Sequence, residues 1–181
     1  MCCPPAELTD TALGGFFVST ERFWRNTRKE FDLASTLLEK SLHLRRKLTD
    51  RWGIAATLGS LAWTALGRNE LGRATNLLEK SLLIRLEIGD KGGMAWCLEK
   101  MAKIAHLKSD PTRAVHIFSA AAALRASVNS IIDPSDQDDY QSLIDSLRNE
   151  LGTDAFQAVW SEGQGMELDR AIRYVFPSTG T

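Results

Sequence analysis

The sequence predicts an all-α fold of helix-turn-helix repeats with a period of about 40 residues, a length that marks stacked-repeat folds. Three observations carry this. The hexapeptide LLEKSL stands at Leu37–Leu42 and again at Leu77–Leu82, and the register holds around it: Ala34, Ala74 and Ala114 align, as do Leu38, Leu78 and Phe118, and Arg45, Arg85 and Arg125. Apolar residues recur at helical spacing, as in Phe31, Ala34, Leu38, Leu42 and Leu48, with Leu37 and Leu44 beside them and Glu39, Lys40, Arg46 and Lys47 on the other face. The strict alternation of a strand is absent, which excludes a β-propeller of similar period. No proline stands between Pro5 and Pro111, which leaves room for long helices.

Taken in order, residues 1–30 read as a degenerate N-terminal helix or partial repeat. Shifted by one period, Glu21, Arg22 and Arg25 fall where small or apolar residues belong, although Phe16, Phe17, Phe23 and Trp24 can still form a stripe. Residues 31–130 carry the repeats. Phe31–Leu48 is the second helix of a pair, and Trp52–Leu66 opens the next pair with Ala55, Leu58, Leu61, Ala62 and Ala65 on one stripe. GRNE at Gly67–Glu70 and KSDP at Lys108–Pro111 break the helices. Asp110 is placed to cap and Pro111 to occupy the first helical position, where no donor is missed. TDRWG and GDKGG are expected to supply longer turns between pairs. Ala62, Ala102, Ala74 and Ala114 let antiparallel helices approach, with Leu78 and Phe118 filling the gap between pairs. Residues 131–176 break the period and read as capping helices. Pro134 and Ser135 open one with Tyr140, Leu143, Ile144, Leu147 and Leu151 apolar, and Gly152 ends it. Thr153 is expected to cap the next, with Phe156, Val159 and Trp160 apolar and Gly163 as its stop. The last presents Leu168, Ile172, Val175 and Phe176; residues 177–181 are a tail. Repeat stacks need such atypical terminal units to cover the last core face.

Leu58, Leu61, Ala62, Ala65, Ala74, Leu78 and Ser81, and again Leu98, Met101, Ala102, Ala105, Ala114, Phe118 and Ala121, resemble the large–small pattern of the tetratricopeptide repeat. That family's usual period is shorter, about 34 residues. The extra residues are therefore expected in the turn between units. HEAT and armadillo repeats share the longer period and are the structural runner-up. The resemblance implies a right-handed superhelix with a C-terminal helical cap. Over roughly residues 31–176 the chain also resembles the last repeat and terminal segment of bacterial signal-transduction ATPases, including LuxR-type and AfsR-type transcriptional regulators. The marks are Cys97-Leu98-Glu99, Asp110-Pro111, the run Ala120–Arg125, Asp139-Tyr140, Leu151-Gly152, Phe156, Trp160, Gly163 and Ala171-Ile172. In that family the repeat arm follows an ATPase domain and carries ligand or partner contacts. The chain departs from it in lacking the phosphate-cradling G-x-x-x-x-G-K-[ST], in showing no DNA-reading helix-turn-helix, and in carrying Glu167 where a capping Ser or Thr is usual.

Composition sets further bounds. A net charge of −1 argues against a nucleic-acid binder. The basic residues of 22–51 are interspersed with Glu21, Glu30, Asp32, Glu39 and Asp50, as on a solvated face. No apolar run reaches the roughly 18 residues of a membrane helix. Cys2, Cys3 and Cys97 make neither a disulfide framework nor a zinc spacing, and the start lacks a secretory pattern, so a cytoplasmic location is expected. HExxH, CxxC and G-x-S-x-G are absent. His43, His106 and His116 read as ordinary histidines, though the last two can approach across the helix break. DPSDQDD at Asp133–Asp139 lacks the glycine and spacing of a calcium loop and is better placed as carboxylates at a helix N-terminus. No enzyme activity, catalytic residue, cofactor or metal is expected.

The function expected is a non-enzymatic protein–protein interaction module, the sensor or scaffold arm of a bacterial transcriptional regulator. In a stack of helix pairs the first helices line the concave side. The candidate partner-binding residues there are Ala56, Gly59, Ser60 and Trp63 on one first helix, and Trp96, Glu99, Lys100, Lys103 and His106 on the next. Aromatic residues supply contact area, and lysines meet carboxylate or phosphate. Gly59 and Ser60 stand where a two-carboxylate clamp wants asparagines, so recognition of a peptide C-terminus by that clamp is not expected. The partner is a protein or peptide, with self-association through the N-terminal repeat face as the alternative, a small metal- or ligand-binding protein as a remoter one, and no membrane or direct nucleic-acid contact.

Overall fold

The computed structural model describes residues 30–175, all-helical with no strand among them. Helix α1 spans residues 30–47. It is followed by α2 (Arg51–Gly67), α3 (Leu71–Ile88), α4 (Lys91–Leu107), α5 (Pro111–Ser127), a 3-10 turn at Pro134–Asp136, α6 (Gln137–Leu151), α7 (Thr153–Gln164) and α8 (Leu168–Val175). The partial repeat expected at 1–30 lies outside the described residues save for its last position, and Phe176 and the tail lie outside too.

The C-terminal ends of α1 to α5 follow one rule. Thr49, Asn69, Gly89, Ser109 and Asn129 all have positive φ, between 51° and 73°, and they are evenly spaced along the chain. The amide of the following residue reaches back to a carbonyl five positions earlier: Asp50 to Arg45 (3.1 Å), Glu70 to Ala65 (2.8 Å), Asp90 to Arg85 (2.9 Å), Asp110 to Ala105 (3.0 Å) and Ser130 to Arg125 (3.1 Å). This is the left-handed closure that satisfies orphan carbonyls at a helix C-terminus. The next helix starts at once after four of them, and at three a side chain caps it. Asp50 accepts from the Gly53 amide (2.9 Å), Asp90 from Gly93 (2.9 Å) and Asp110 from Arg113 (3.1 Å). The side-chain pattern repeats with each helix pair, but the backbone repeats with each helix.

This corrects where the long period is spent. The connections are three residues within a pair and two between α3 and α4, while α2 and α3 run 17 and 18 residues. TDRWG and GDKGG are therefore tight junctions rather than long turns, and Gly53 and Gly93 lie inside helices. A methyl group at Gly93 would collide with the Arg85 guanidinium and the Asp90 carboxylate, which pair beside it; Gly53 stands against Arg45 and Asp50 in the same way. The extra residues lengthen the helices.

Packing follows the small residues. Helix α2 packs on α3, α4 on α5, and α3 joins the two pairs by lying on α4. Ala62, Ala74, Ala102 and Ala114 are fully buried at these crossings, as is Leu78, while Phe118 faces the C-terminal helices rather than another pair. Ser81 also fits there, its hydroxyl donating to the Ala55 carbonyl at 2.8 Å. One apolar core runs from Ala62 to Val175, and a smaller one of Leu42, Ile54, Leu58 and Leu61 joins α1 to α2. Leu37 and Leu44 are 56% and 59% exposed, although their copies Ile117 and Leu124 are buried. Leu48 is exposed because α1 stops at 47.

The C-terminal segment covers the second pair. Helix α7 lies along α5, while α6 and α8 flank it. Leu147, Phe156, Ala171, Ile172 and Val175 are buried. Two details differ from expectation. Gly152 (φ 78°), not Thr153, precedes α7, and no side chain caps that end. Gly163 does not stop α7 but lies inside it, buried against α5. A methyl there would strike the Ser119 hydroxyl and sit 2.7 Å from the His116 carbonyl, so its absence permits the close crossing.

Candidate functional site

Helices α2 and α4 adjoin where Gly59 leaves space for a ring. A methyl group at Gly59 would sit 3.0 Å from the Trp96 indole, which lies over it. Ala56 is half-buried on the same face. Ser60 is exposed and its hydroxyl turns back to the Ala56 carbonyl at 3.2 Å. Trp63 follows one turn on, 38% exposed. The Lys100 ammonium stands 4.5 Å from the Trp63 ring centre and 5.4 Å from that of Trp96, and Lys103 is 5.2 Å from Trp63. These are cation–π distances. Trp63, Trp96, Lys100 and Lys103 thus come together as one cluster drawn from two helix pairs.

The α4 part of this face is covered by the chain itself. Asp136 is held at both oxygens, by the Trp96 indole N–H (2.9 Å) and by Lys100 Nζ (2.8 Å). Lys103 Nζ meets Asp139 at 3.0 Å. His106 faces α6, with Nε2 3.4 Å from the Ser146 hydroxyl and Nδ1 3.6 Å from Glu150. Glu99 lines the same small cavity as Lys100, Lys103, Asp136 and Asp139. Only 5% exposed, it takes two hydrogen bonds of 2.9 Å from the Arg125 guanidinium. Burial pushes its carboxyl above the usual carboxylate range, and the Arg125 fork pulls it back. Tyr140, packed beside this pair with its ring 4.6 Å from Phe118, is raised by burial and then by the Glu99 charge.

Of the nine candidate residues, Ala56, Gly59, Ser60 and Trp63 lie on the α2 part, Glu99 and Lys100 are buried in ion pairs, and Trp96, Lys103 and His106 are half-buried under the 3-10 turn and α6. Sequence reasoning missed Asp136 and Asp139. The available signal was charge: two aspartates three residues apart in an acidic run match two lysines three residues apart.

His106 and His116 are not brought together. His116 instead meets Glu162 at 3.1 Å and the Tyr174 hydroxyl at 3.4 Å, on α7 and α8. Among the described residues no group of three His, Cys, Asp or Glu side chains could hold a metal ion. Cys97 is fully buried, and burial raises its thiol above the ordinary value. No described helix is long and apolar enough to cross a membrane. In comparisons with known proteins, no family model, no curated protein and no solved structure matches this chain.

Proposed function

We propose that the chain is a non-enzymatic protein-interaction module. In this reading its tetratricopeptide-like pairs stack into a right-handed superhelix, and the inner faces of α2 and α4 form the concave surface that receives a protein or peptide. The observation that carries it is the joint cluster of Trp63, Trp96, Lys100 and Lys103. Two indoles and two ammonium groups from different repeats converge on one face, and aromatic residues with cations are what interface anchors are made of. The resemblance to the repeat arm of bacterial signal-transduction ATPases supports reading the module as the sensor or scaffold arm of a transcriptional regulator in the cytoplasm.

The test is affinity capture from cell extract with the full chain and with a variant carrying Trp63→Ala and Lys103→Glu. The partner should be lost while the helical circular dichroism is unchanged. Capture of the same partner by the variant would move the binding face elsewhere. Self-association through α1 is the second reading, favoured by the exposure of Leu33, Leu37 and Leu44 on one helix; light scattering on the purified chain separates the two.

A further inference from the structure

Lys100 is 5% exposed. An ammonium so buried needs a countercharge and hydrogen-bond acceptors. Glu99, its neighbour on α4, is already committed to Arg125. The countercharge is Asp136, and the grip on it is two-handed, with the indole N–H of Trp96 on one oxygen and Lys100 on the other. The indoles of Trp63 and Trp96 lie against the lysine. One turn along α4, Lys103 repeats the contact with Asp139. This is a built site for two carboxylates three residues apart at the start of a helix.

The groups on the two sides come from different parts of the fold. The three donors and two ring walls, from four residues, all belong to the helix pairs, on α2 and α4. Both carboxylates belong to the period-breaking segment, joined to α5 by a short connection in which Ile131 is 85% exposed. The contact is therefore of the same kind as one between a repeat face and a ligand, with the ligand tethered.

We propose that Trp63, Trp96, Lys100 and Lys103 form a binding site for an acidic segment of a partner protein, with two carboxylates spaced three residues apart, and that the chain's own Asp136 and Asp139 occupy it as a built-in competitor. This rests on the reading of the α2–α4 face as the partner surface and names the class of partner. A short tether holds its ligand at an effective concentration in roughly the millimolar range. A free acidic peptide then binds the intact chain weakly, and much more tightly once the internal carboxylates are gone.

The experiment measures fluorescence anisotropy of a fluorescein-labelled peptide, DPSDQDDYQSLIDSL, the chain's own residues 133–147. It is titrated with the full wild-type chain and with the full chain carrying Asp136→Ala and Asp139→Ala. The opened variant should bind about tenfold tighter or more. Adding Lys100→Gln and Lys103→Gln to it should remove the gain, and a peptide with asparagine at the positions of Asp136 and Asp139 should bind about tenfold more weakly, the loss expected for desolvated charge pairs. If circular dichroism shows that the double variant has lost its fold, Asp139→Ala alone is used, with a gain of about threefold expected from losing one partly exposed pair. Equal binding by wild type and opened chain, or equal binding of the acidic and asparagine peptides, overturns the proposal. If the peptide fails while Trp63→Ala with Lys103→Glu still abolishes partner capture, the interaction face stands and the acidic ligand falls. If capture also survives, both fall.

Discussion

At position 125 the third copy of the repeat keeps an arginine whose task has changed. Arg45 and Arg85 each reach the aspartate that opens the following helix, Asp50 and Asp90. The third copy has Ser130 there, which Arg125 still contacts through Oγ at 3.1 Å, and the rest of its fork turns inward to Glu99. Arg125→Gln leaves a buried carboxylate without its partner, which costs about 3 kcal/mol at neutral pH. The pH dependence has a defined sign. Burial already raises the Glu99 carboxyl above its ordinary value of 4.5, and loss of the guanidinium raises it further. A carboxyl raised by folding contributes fully below its unfolded value and loses that contribution as pH climbs through the folded one. The deficit of the variant should therefore shrink as pH falls toward 4.5 and grow above it, read from urea midpoints at several pH values. A deficit that does not change with pH would mean that Glu99 is not left ionised and unpaired.

Between one helix and the next, a left-handed residue followed by an acidic or polar one recurs at every junction from Thr49-Asp50 to Asn129-Ser130. Side chains facing the core repeat only once per pair, because first and second helices face different neighbours, whereas the left-handed backbone closure is the same at the ends of α1 to α5. Apolar periodicity therefore made the helix pairs legible and hid the half-repeat. The same reasoning located Asp110 and Pro111 correctly, since a cap is local, and misjudged Gly163, whose role is contact with α5 and is visible only once α7 is placed. The Trp63–Lys100 face was legible for a similar reason, being set by position within a repeat, while its acidic cover comes from a segment outside the period. The junctions are not energetically equal. Asp110 caps α5 through the Arg113 amide, so Asp110→Ala should cost about 1 kcal/mol. Asp90 caps α4 and also neutralises Arg85, which is buried and otherwise bonded to Ser81. Asp90→Ala should cost about 3 kcal/mol, because it removes a cap and strands a buried cation. Chemical denaturation of the two variants compares them directly, and equal losses would show that the Arg85–Asp90 pair adds nothing beyond the cap.

Across the whole molecule the repeats and the capping helices share one core, and Phe118 is where they meet. It is 1% exposed, on the second helix of the second pair, and its ring lies 4.6 Å from Tyr140 of α6 and 6.1 Å from Trp160 of α7. Its copy Leu78 fills the equivalent place one repeat earlier, against the next pair rather than against a cap. The cap thus takes the position that another repeat would occupy, with aromatic rings in place of aliphatic side chains. Phe118→Ala opens a cavity at this junction and should cost about 4 kcal/mol. The loss should not be uniform. Amides of α6 and α7 should lose hydrogen-exchange protection before those of α2 and α3, whose contacts with each other do not involve Phe118, because stacked units transmit stability only through their nearest neighbours. Exchange followed by mass spectrometry resolves the helices separately. Equal loss of protection in α2, α3, α6 and α7 would show that pairs and cap unfold as one unit, and that the cap is not a separable cover on the repeat face.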